Sequence, residues 1–313
     1  MYFLLEEVTQ LVTKEQLFIQ LIEQLSSRKL FYGHAVVDAE DEAMMVLMKL
    51  LSQDVEQILS SGTDSVLPEV IAEATLIVNE RLTSLKPMAY LLGQVNFSGL
   101  MFRIDERALV PRSPIAELII NGFQPWVKMA KIHSVLDLCT GSGCIGIAIA
   151  QHFKHTQVDI ADISKKALAL ASINIELHHA QNRVTAIRSD LFHNIKNSYD
   201  LIVTNPPYVS DEEYHDLPAE YKHEPKLGLV TEQQGLRIPV EILYKATEYL
   251  NDGGYLYLEV GYSDEALDSA FSEIKFEWID FLNGGQGVCV FSKEMLLKYR
   301  HYFKAFLETS HVI

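Results

Sequence analysis

The chain has 313 residues, 48% of them hydrophobic and 22% charged, a balance that suits a soluble globular protein with room for two cores. No apolar run approaches the ~18 residues of a membrane span, and no basic-then-apolar leader pattern opens the chain, so a cytoplasmic protein is expected. A net charge of −16 argues against direct nucleic-acid binding, and Cys139, Cys144 and Cys289 match neither a disulfide framework nor a metal-ligand spacing.

Residues 1–85 read as a helical domain. Phe18, Leu21, Ile22 and Leu25 recur at helical spacing, as do Met44, Leu47, Met48 and Leu51, and a third helix is expected from Pro68 to about Ser84. Gly33-His34, the acidic run Asp38 to Glu42, and Ser60-Ser61-Gly62 read as breaks between them. No chemistry is visible here, since His34 has no second ligand beside it at metal spacing. The acid excess is concentrated here, with 14 Asp and Glu against 4 Lys and Arg in residues 1–80. That is a solvated surface or a face for a basic partner.

Residues 86–112 form the expected linker, with a short hairpin of Val95 to Phe97 against Met101 to Ile104 around Ser98-Gly99. Ser113 is placed to cap a helix and Pro114 to occupy its first position, leading into Ile115 to Ile120. From residue 134 strands alternate with helices, the pattern of a parallel sheet covered on both faces. Seven strands are expected: Ser134 to Leu138, Gln157 to Ala161, Val184 to Arg188, Leu201 to Thr204, Tyr255 to Val260, Phe276 to Phe281 and Val288 to Phe291. The last two are joined through Asn283-Gly-Gly-Gln-Gly287, which makes the final strand antiparallel to its neighbour.

The polar residues with chemical potential stand where these strands end, the usual ligand position in an open parallel sheet. The first strand runs into Asp137-Leu-Cys-Thr140-Gly141-Ser-Gly143 and then a helix. Gly141 and Gly143 allow a tight turn and close approach of a ligand, while Asp137 would repel a pyrophosphate and suits a cation. Asp162 closes the second strand, where a carboxylate can take both hydroxyls of a ribose, and Asp190 closes the third, where it can accept from an adenine amino group beside an apolar wall of Leu191 or Phe192. Asn205-Pro206-Pro207-Tyr208 ends the fourth. A ligand with a cation, a ribose and an adenine fits this set, which is S-adenosylmethionine.

The order Asp-x-x-x-Gly-x-Gly, Asp162, Asp190 and Asn205-Pro-Pro-Tyr208 resembles the class I methyltransferases that alkylate a planar nitrogen. Ala89-Tyr-Leu-Leu-Gly93, Phe97-Ser-Gly-Leu100 and Asp105-Glu-Arg-Ala-Leu-Val-Pro-Arg-Ser113 are similar to the HemK/Prm family of protein-(glutamine-N5) methyltransferases, over roughly residues 85–292. Pro111 to Leu118 and Asp216 to Leu229 resemble the branch that modifies large-subunit ribosomal protein L3 (uL3). The resemblance implies a Rossmann-like α/β fold in residues 113–313 with a small N-terminal helical substrate-recognition domain. It also implies S-adenosylmethionine as methyl donor, held by Asp137, Thr140, Gly141, Gly143, Asp162, Asp190, Leu191 and Asn205, with no metal. Asn205, Pro206, Pro207 and Tyr208 are then the catalytic set. The Asn205 side-chain oxygen and the Pro206 carbonyl accept the two amide hydrogens of a glutamine, and the Tyr208 ring lies against its plane. Alternatives are the release-factor branch of the same family, a nucleic-acid adenine N6-methyltransferase acting on a flipped base, and an assembly factor without catalysis. His223-Glu224-Pro225 reads as a turn or cover near the site, and Gly284-Gly285-Gln286 as a turn between strands.

Overall fold

The computed structural model describes residues 11–309, so the start of the expected helical region, residues 3–10, lies outside the described part. Its contacts divide the chain into one unit of residues 1–92 and another of residues 93–313.

The first unit holds α1 (Lys14–Ser26), α2 (Ala39–Leu51), α3 (Val55–Ser60), α4 (Pro68–Ser84) and α5 (Met88–Leu92). Its core is drawn from Leu17, Leu21 and Leu25 of α1, Ala43, Val46 and Leu47 of α2, and Ala74 and Val78 of α4, with Phe18, Ile22, Met44 and Met48 half-buried at its margin. The acidic run at Asp38 is the start of a helix, not a break. Asp38 accepts from the backbone N–H groups of Glu40 and Asp41, and Glu40 to Glu42 form the first turn of α2, where the helix dipole favours negative charge. Glu42 then points inward: Arg81 of α4 donates to its two oxygens at 2.9 and 3.0 Å, with both side chains buried. His34 is also buried and meets the Phe31 ring edge-on.

The second unit begins with β1 (Gln94–Phe97) and β2 (Leu100–Arg103), an antiparallel hairpin turning at Ser98-Gly99, both in the left-handed region. There follow α6 (Ile115–Ile120), β3 (Ser134–Leu138), α7 (Cys144–His152), β4 (Gln157–Asp162), α8 (Lys165–Leu177), β5 (Val184–Arg188) and β6 (Tyr199–Thr204). The chain closes with α9 (Asp211–Asp216), α10 (Arg237–Lys245), β7 (Leu250–Glu259), α11 (Asp264–Ala270), β8 (Val288–Ser292) and α12 (Lys293–Thr309). The sheet order is β5-β4-β3-β6-β7-β8; β8 runs antiparallel to β7 and the other neighbours are parallel. Val135, Leu136, Leu201, Ile202, Leu256 and Leu258 are fully buried, which is why these strands appear in the sequence as unbroken apolar runs.

The sheet has six strands, not the seven expected. Residues 276–281 make one bridge, Trp278 with Cys289, flanked by the hydrogen bonds Ile279 N–H to Val288 and Val290 N–H to Glu277. The buried side chains there are Phe276 and Ile279, three residues apart, and a strand can only bury alternate residues on one face. The segment therefore packs against the sheet edge without extending its ladder. β7 also starts earlier than expected, at Leu250, which pairs with Tyr199; a register shift takes up Asn251 to Gly254 before Tyr255 pairs with Leu201.

After β5 at one edge the chain returns to place β6 beside β3, so the order reverses between these two strands. Such a reversal opens a crevice at the carboxyl ends of the strands. Helix α12 covers the other end of the sheet, sending Leu296 and Phe303 into the core beside α10. Among the described residues no helix is long and apolar enough to cross a membrane.

Candidate active site

A cavity of about 210 Å³ opens over the carboxyl ends of β3, β4, β5 and β6. It is bounded by the segment 107–113 and by Pro225 to Leu229, which meet where Leu109 packs on Gly228.

The loop after β3 forms its floor. Cys139, Gly141 and Gly143 all take left-handed backbone conformations, which turn the chain at once from strand into α7. The turn is pinned from outside by Asn174 of α8. Its amide donates to the Ser142 carbonyl at 2.9 Å and to the Arg103 carbonyl at 3.0 Å, and its oxygen accepts from Arg103 N–H at 2.8 Å. The β1–β2 hairpin and the glycine loop are thus set by a single side chain.

Asp162 spans the top of β4. One oxygen accepts from Gly141 N–H at 2.9 Å and the other from Ser164 N–H at 2.8 Å, and burial pushes its carboxyl above the usual range. Asp190 stands on the cavity wall after β5, with Leu191 in the left-handed region beside it. Phe192 is not part of that wall: it is buried in the core, stacked on Tyr249 at 4.6 Å. Asp137 is not on the wall either. Side chains alternate along a strand, and Asp137 points toward α7, where Oδ2 accepts from the Thr140 hydroxyl and from Gly146 N–H at 2.8 Å. Its Oδ1 is buried with no hydrogen-bond partner, and burial pushes the carboxyl up to about 7. A Cβ on Gly146 would lie 2.5 Å from Ile160 and 3.0 Å from Asp137 Cβ, so that glycine is what lets the helix approach the carboxylate.

On the β6 side, Thr204 ties its hydroxyl to the Leu138 carbonyl at 2.7 Å, fixing the two strand ends together. Asn205, Pro207 and Tyr208 line the cavity, while Pro206 is buried beside them. Tyr208 is held on two sides. A Cβ on Gly235 would fall 2.1 Å from its carbonyl oxygen, and one on Gly261 would fall 2.8 Å from its ring. The same carbonyl accepts from the Ser263 hydroxyl at 2.8 Å. The chain then leaves at Val209 and comes back at Val230, a parallel bridge that closes off the excursion 210–229.

That excursion is anchored by residues whose role the sequence reading did not identify. Glu224, fully buried, accepts from both Arg112 nitrogens at 2.7 and 2.9 Å and from Val110 N–H at 2.8 Å. Arg112 also lies over the Tyr221 ring. The expected cap Ser113 does accept from Ile115 N–H at 3.1 Å, but its hydroxyl donates to Glu259 at the end of β7. Helix α6 begins at Ile115, with Pro114 just before it. The signals for these partners are the Arg112-Ser113 pair set between apolar Leu109-Val-Pro111 and Pro114-Ile115, and a lone Glu closing an apolar strand, Leu256-Tyr-Leu-Glu259. The residues 284–286 lie in an exposed loop, with Gly285 against Pro114.

The cavity therefore gathers Thr140, Gly141, Asp162, Asp190, Leu191, Asn205, Pro207 and Tyr208 of the expected set, and holds Asp137, Gly143 and Pro206 immediately behind its surface.

Residues 117–220 match the family described as Methyltransferase small domain. Over 292 residues the chain is 39% identical to a ribosomal protein uL3 glutamine methyltransferase of Francisella tularensis, covering 92% of each chain. Over 278 residues it is 38% identical to the protein of that name in Neisseria gonorrhoeae, covering 88% of this chain and 93% of the relative.

Proposed function

The chain belongs to the ribosomal protein uL3 glutamine methyltransferase family, and on that premise we propose that it methylates the side-chain amide nitrogen of a glutamine in uL3 with S-adenosylmethionine as donor. The observation that carries this reading is that Asn205 and Tyr208 share one cavity with Asp162 and Asp190. An amide acceptor and a nucleoside acceptor then stand at opposite ends of the same crevice.

The residues present fit such a donor. Asp162 keeps lone pairs beyond its two loop hydrogen bonds for ribose hydroxyls, Asp190 offers an acceptor beside the apolar Leu191, and the Thr140-Gly141 backbone leaves room for close approach. The orphaned Oδ1 of Asp137 puts an acceptor beneath the loop on the side where positive charge is favoured. The donor supplies an electrophilic methyl group on a sulfonium centre.

The protein's own work is positioning. An amide nitrogen is a poor nucleophile because its lone pair is delocalised into the carbonyl, and holding it in line can contribute ~7–11 kcal/mol. The Asn205 side-chain oxygen and the Pro206 carbonyl accept the two amide hydrogens, and as positive charge develops on nitrogen these acceptors stabilise it. The Tyr208 ring provides the flat face. The proton leaves after transfer, so no carboxylate is assigned as a base.

The N-terminal residues 1–85 serve in this reading as the substrate-recognition domain, their acid excess complementary to a basic ribosomal protein. Residues 86–112 are the linker and 113–313 the transferase domain.

The test is purified protein with labelled S-adenosylmethionine and separate uL3, release-factor and nucleic-acid substrates. Label in uL3 is expected, with turnover falling as salt rises. Label confined to the release factor or to nucleic acid sinks the substrate assignment, and a flat salt response removes the acidic dock.

A further inference from the structure

Asn205 can serve as acceptor only if its amide is turned the right way. An asparagine presents an oxygen on one side and an NH₂ on the other, and either could face the cavity. Something behind Asn205 must choose.

The sheet register shows what stands there. Thr204 of β6 pairs with Leu258 of β7 in parallel register, so one step further along both strands brings Asn205 beside Glu259, side chains on the same face. Glu259 is 4% exposed, does not line the cavity, and receives the Ser113 hydroxyl from the other side. The register brings the Asn205 amide beside this carboxylate, and the amide favours its ionised form. An ionised carboxylate has no hydrogen to give, so in a hydrogen bond between them the Asn205 NH₂ is the donor, which leaves the amide oxygen for the cavity.

We propose that Glu259 is a positioning residue for methyl transfer: as a carboxylate it locks the Asn205 amide with its oxygen facing the substrate, and on protonation it releases that lock. The inference deepens the amide-alkylation reading and rests on it. Protonated Glu259 carries an O–H that can donate to the Asn205 oxygen, which turns the NH₂ group into the cavity, against the hydrogens of the substrate amide.

The charges around Glu259 set where this switch lies. Burial pushes its carboxyl up to about 7, opposed by the Ser113 hydroxyl, the Arg112 guanidinium and the Asn205 amide. Arg112 is itself paired with Glu224. Tyr208 faces it as a neutral phenol, its own ionisation suppressed by burial and by the Glu259 charge. Tyr221 sits behind Arg112, and Val288, opposite on β8, adds no charge. Because the active form is the ionised one, transfer is retained above the carboxyl's midpoint and lost as the pH falls through it.

The test has two readouts. At saturating S-adenosylmethionine and uL3, kcat of the wild type is expected to fall at least tenfold between pH 8 and pH 6. Glu259→Gln is expected to lower kcat at pH 8 at least tenfold and abolish that acid limb, with cofactor Kd within twofold of wild type. Ser113→Ala, which takes a donor from the carboxylate, is expected to move the limb to higher pH. A Glu259→Gln variant with kcat within twofold of wild type, a limb that persists in it, or a limb unmoved by Ser113→Ala overturns the proposal. Independently of any substrate, the Asn205 side-chain NH₂ resonances of ¹⁵N-labelled protein are expected to titrate near pH 7 in wild type and not in Glu259→Gln. Absence of that titration from the wild type, or its persistence in Glu259→Gln, defeats the lock itself, whereas the expected pattern with no label in uL3 defeats only the substrate reading.

Discussion

The two ends of the crevice are built in different ways. At the glycine-loop end, proposed to take the nucleoside, the partners of the carboxylates lie close by: Asp162 accepts from Ser164 N–H and from Gly141 N–H in the neighbouring loop, and Asp137 from the Thr140 hydroxyl and Gly146 N–H. At the amide end the partners lie far apart in the chain. Arg112 meets Glu224, Ser113 meets Glu259, and Tyr208 is gripped by Gly235 and Gly261. The first end is a loop conformation that two or three neighbouring strands can hold. The second exists only when five separate segments have come together, and that separation makes it the more selective and the more fragile half.

Three substitutions probe that contrast. The largest effect is expected at Asn205→Ala, which removes the acceptor proposed for the nitrogen that receives the methyl group: kcat should fall about 10²- to 10³-fold, the range for losing one such group. Cofactor Kd, measured by calorimetry, should stay within a few-fold, and an equal loss of binding and turnover would mean the two ends are not separable. Next is Glu224→Ala. It strands the Arg112 charge in a mostly buried setting and should destabilise the protein by about 3 kcal/mol, at the low end for a broken buried pair because Arg112 keeps 22% exposure. Denaturant unfolding followed by circular dichroism measures it, and a change below about 1 kcal/mol would show that the excursion 210–229 is held by its apolar contacts. The smallest is Asp162→Asn. One of the two backbone N–H groups would then face an NH₂, and cofactor Kd should rise about tenfold, roughly 1.4 kcal/mol, while kcat at saturation changes little. A fall in kcat as large as that of Asn205→Ala would erase the distinction between the ends.

The same contrast explains what could be read in advance. Asp162, Asp190 and Gly141 could be placed on the crevice in advance because they stand at or just beyond the carboxyl ends of parallel strands, where an open sheet leaves its crevice. Asp137 could be placed at such a strand end but not in its direction, since one step of strand alternation decides between cavity and helix. Glu259 and Glu224 were invisible in role. A buried carboxylate is recognised by its partners, and theirs stand 146 and 112 residues away. In the fold, the missing seventh strand shows the limit of composition: Phe276 to Phe281 is apolar enough for a strand, but its burial repeat is wrong for one. The acidic run at the start of α2 differs from its expected reading as a break for a related reason. Asp is unfavourable in a helix interior, yet Asp and Glu both favour a first turn, and the position of the cap decides between break and start.

The grip of Gly235 and Gly261 on Tyr208 has a consequence for anyone who would transplant this chemistry. The glycine loop and its aspartates could be grafted onto another open sheet as a cassette, because their partners travel with them. Asn205 to Tyr208 could not. On a scaffold with a side chain at either of the two facing positions, the tetrapeptide would find its tyrosine displaced by a carbon atom with nowhere to go. What is portable in this enzyme is the glycine-loop half of the crevice, and the residues a designer would have to import with the motif stand 27 and 53 positions beyond Tyr208.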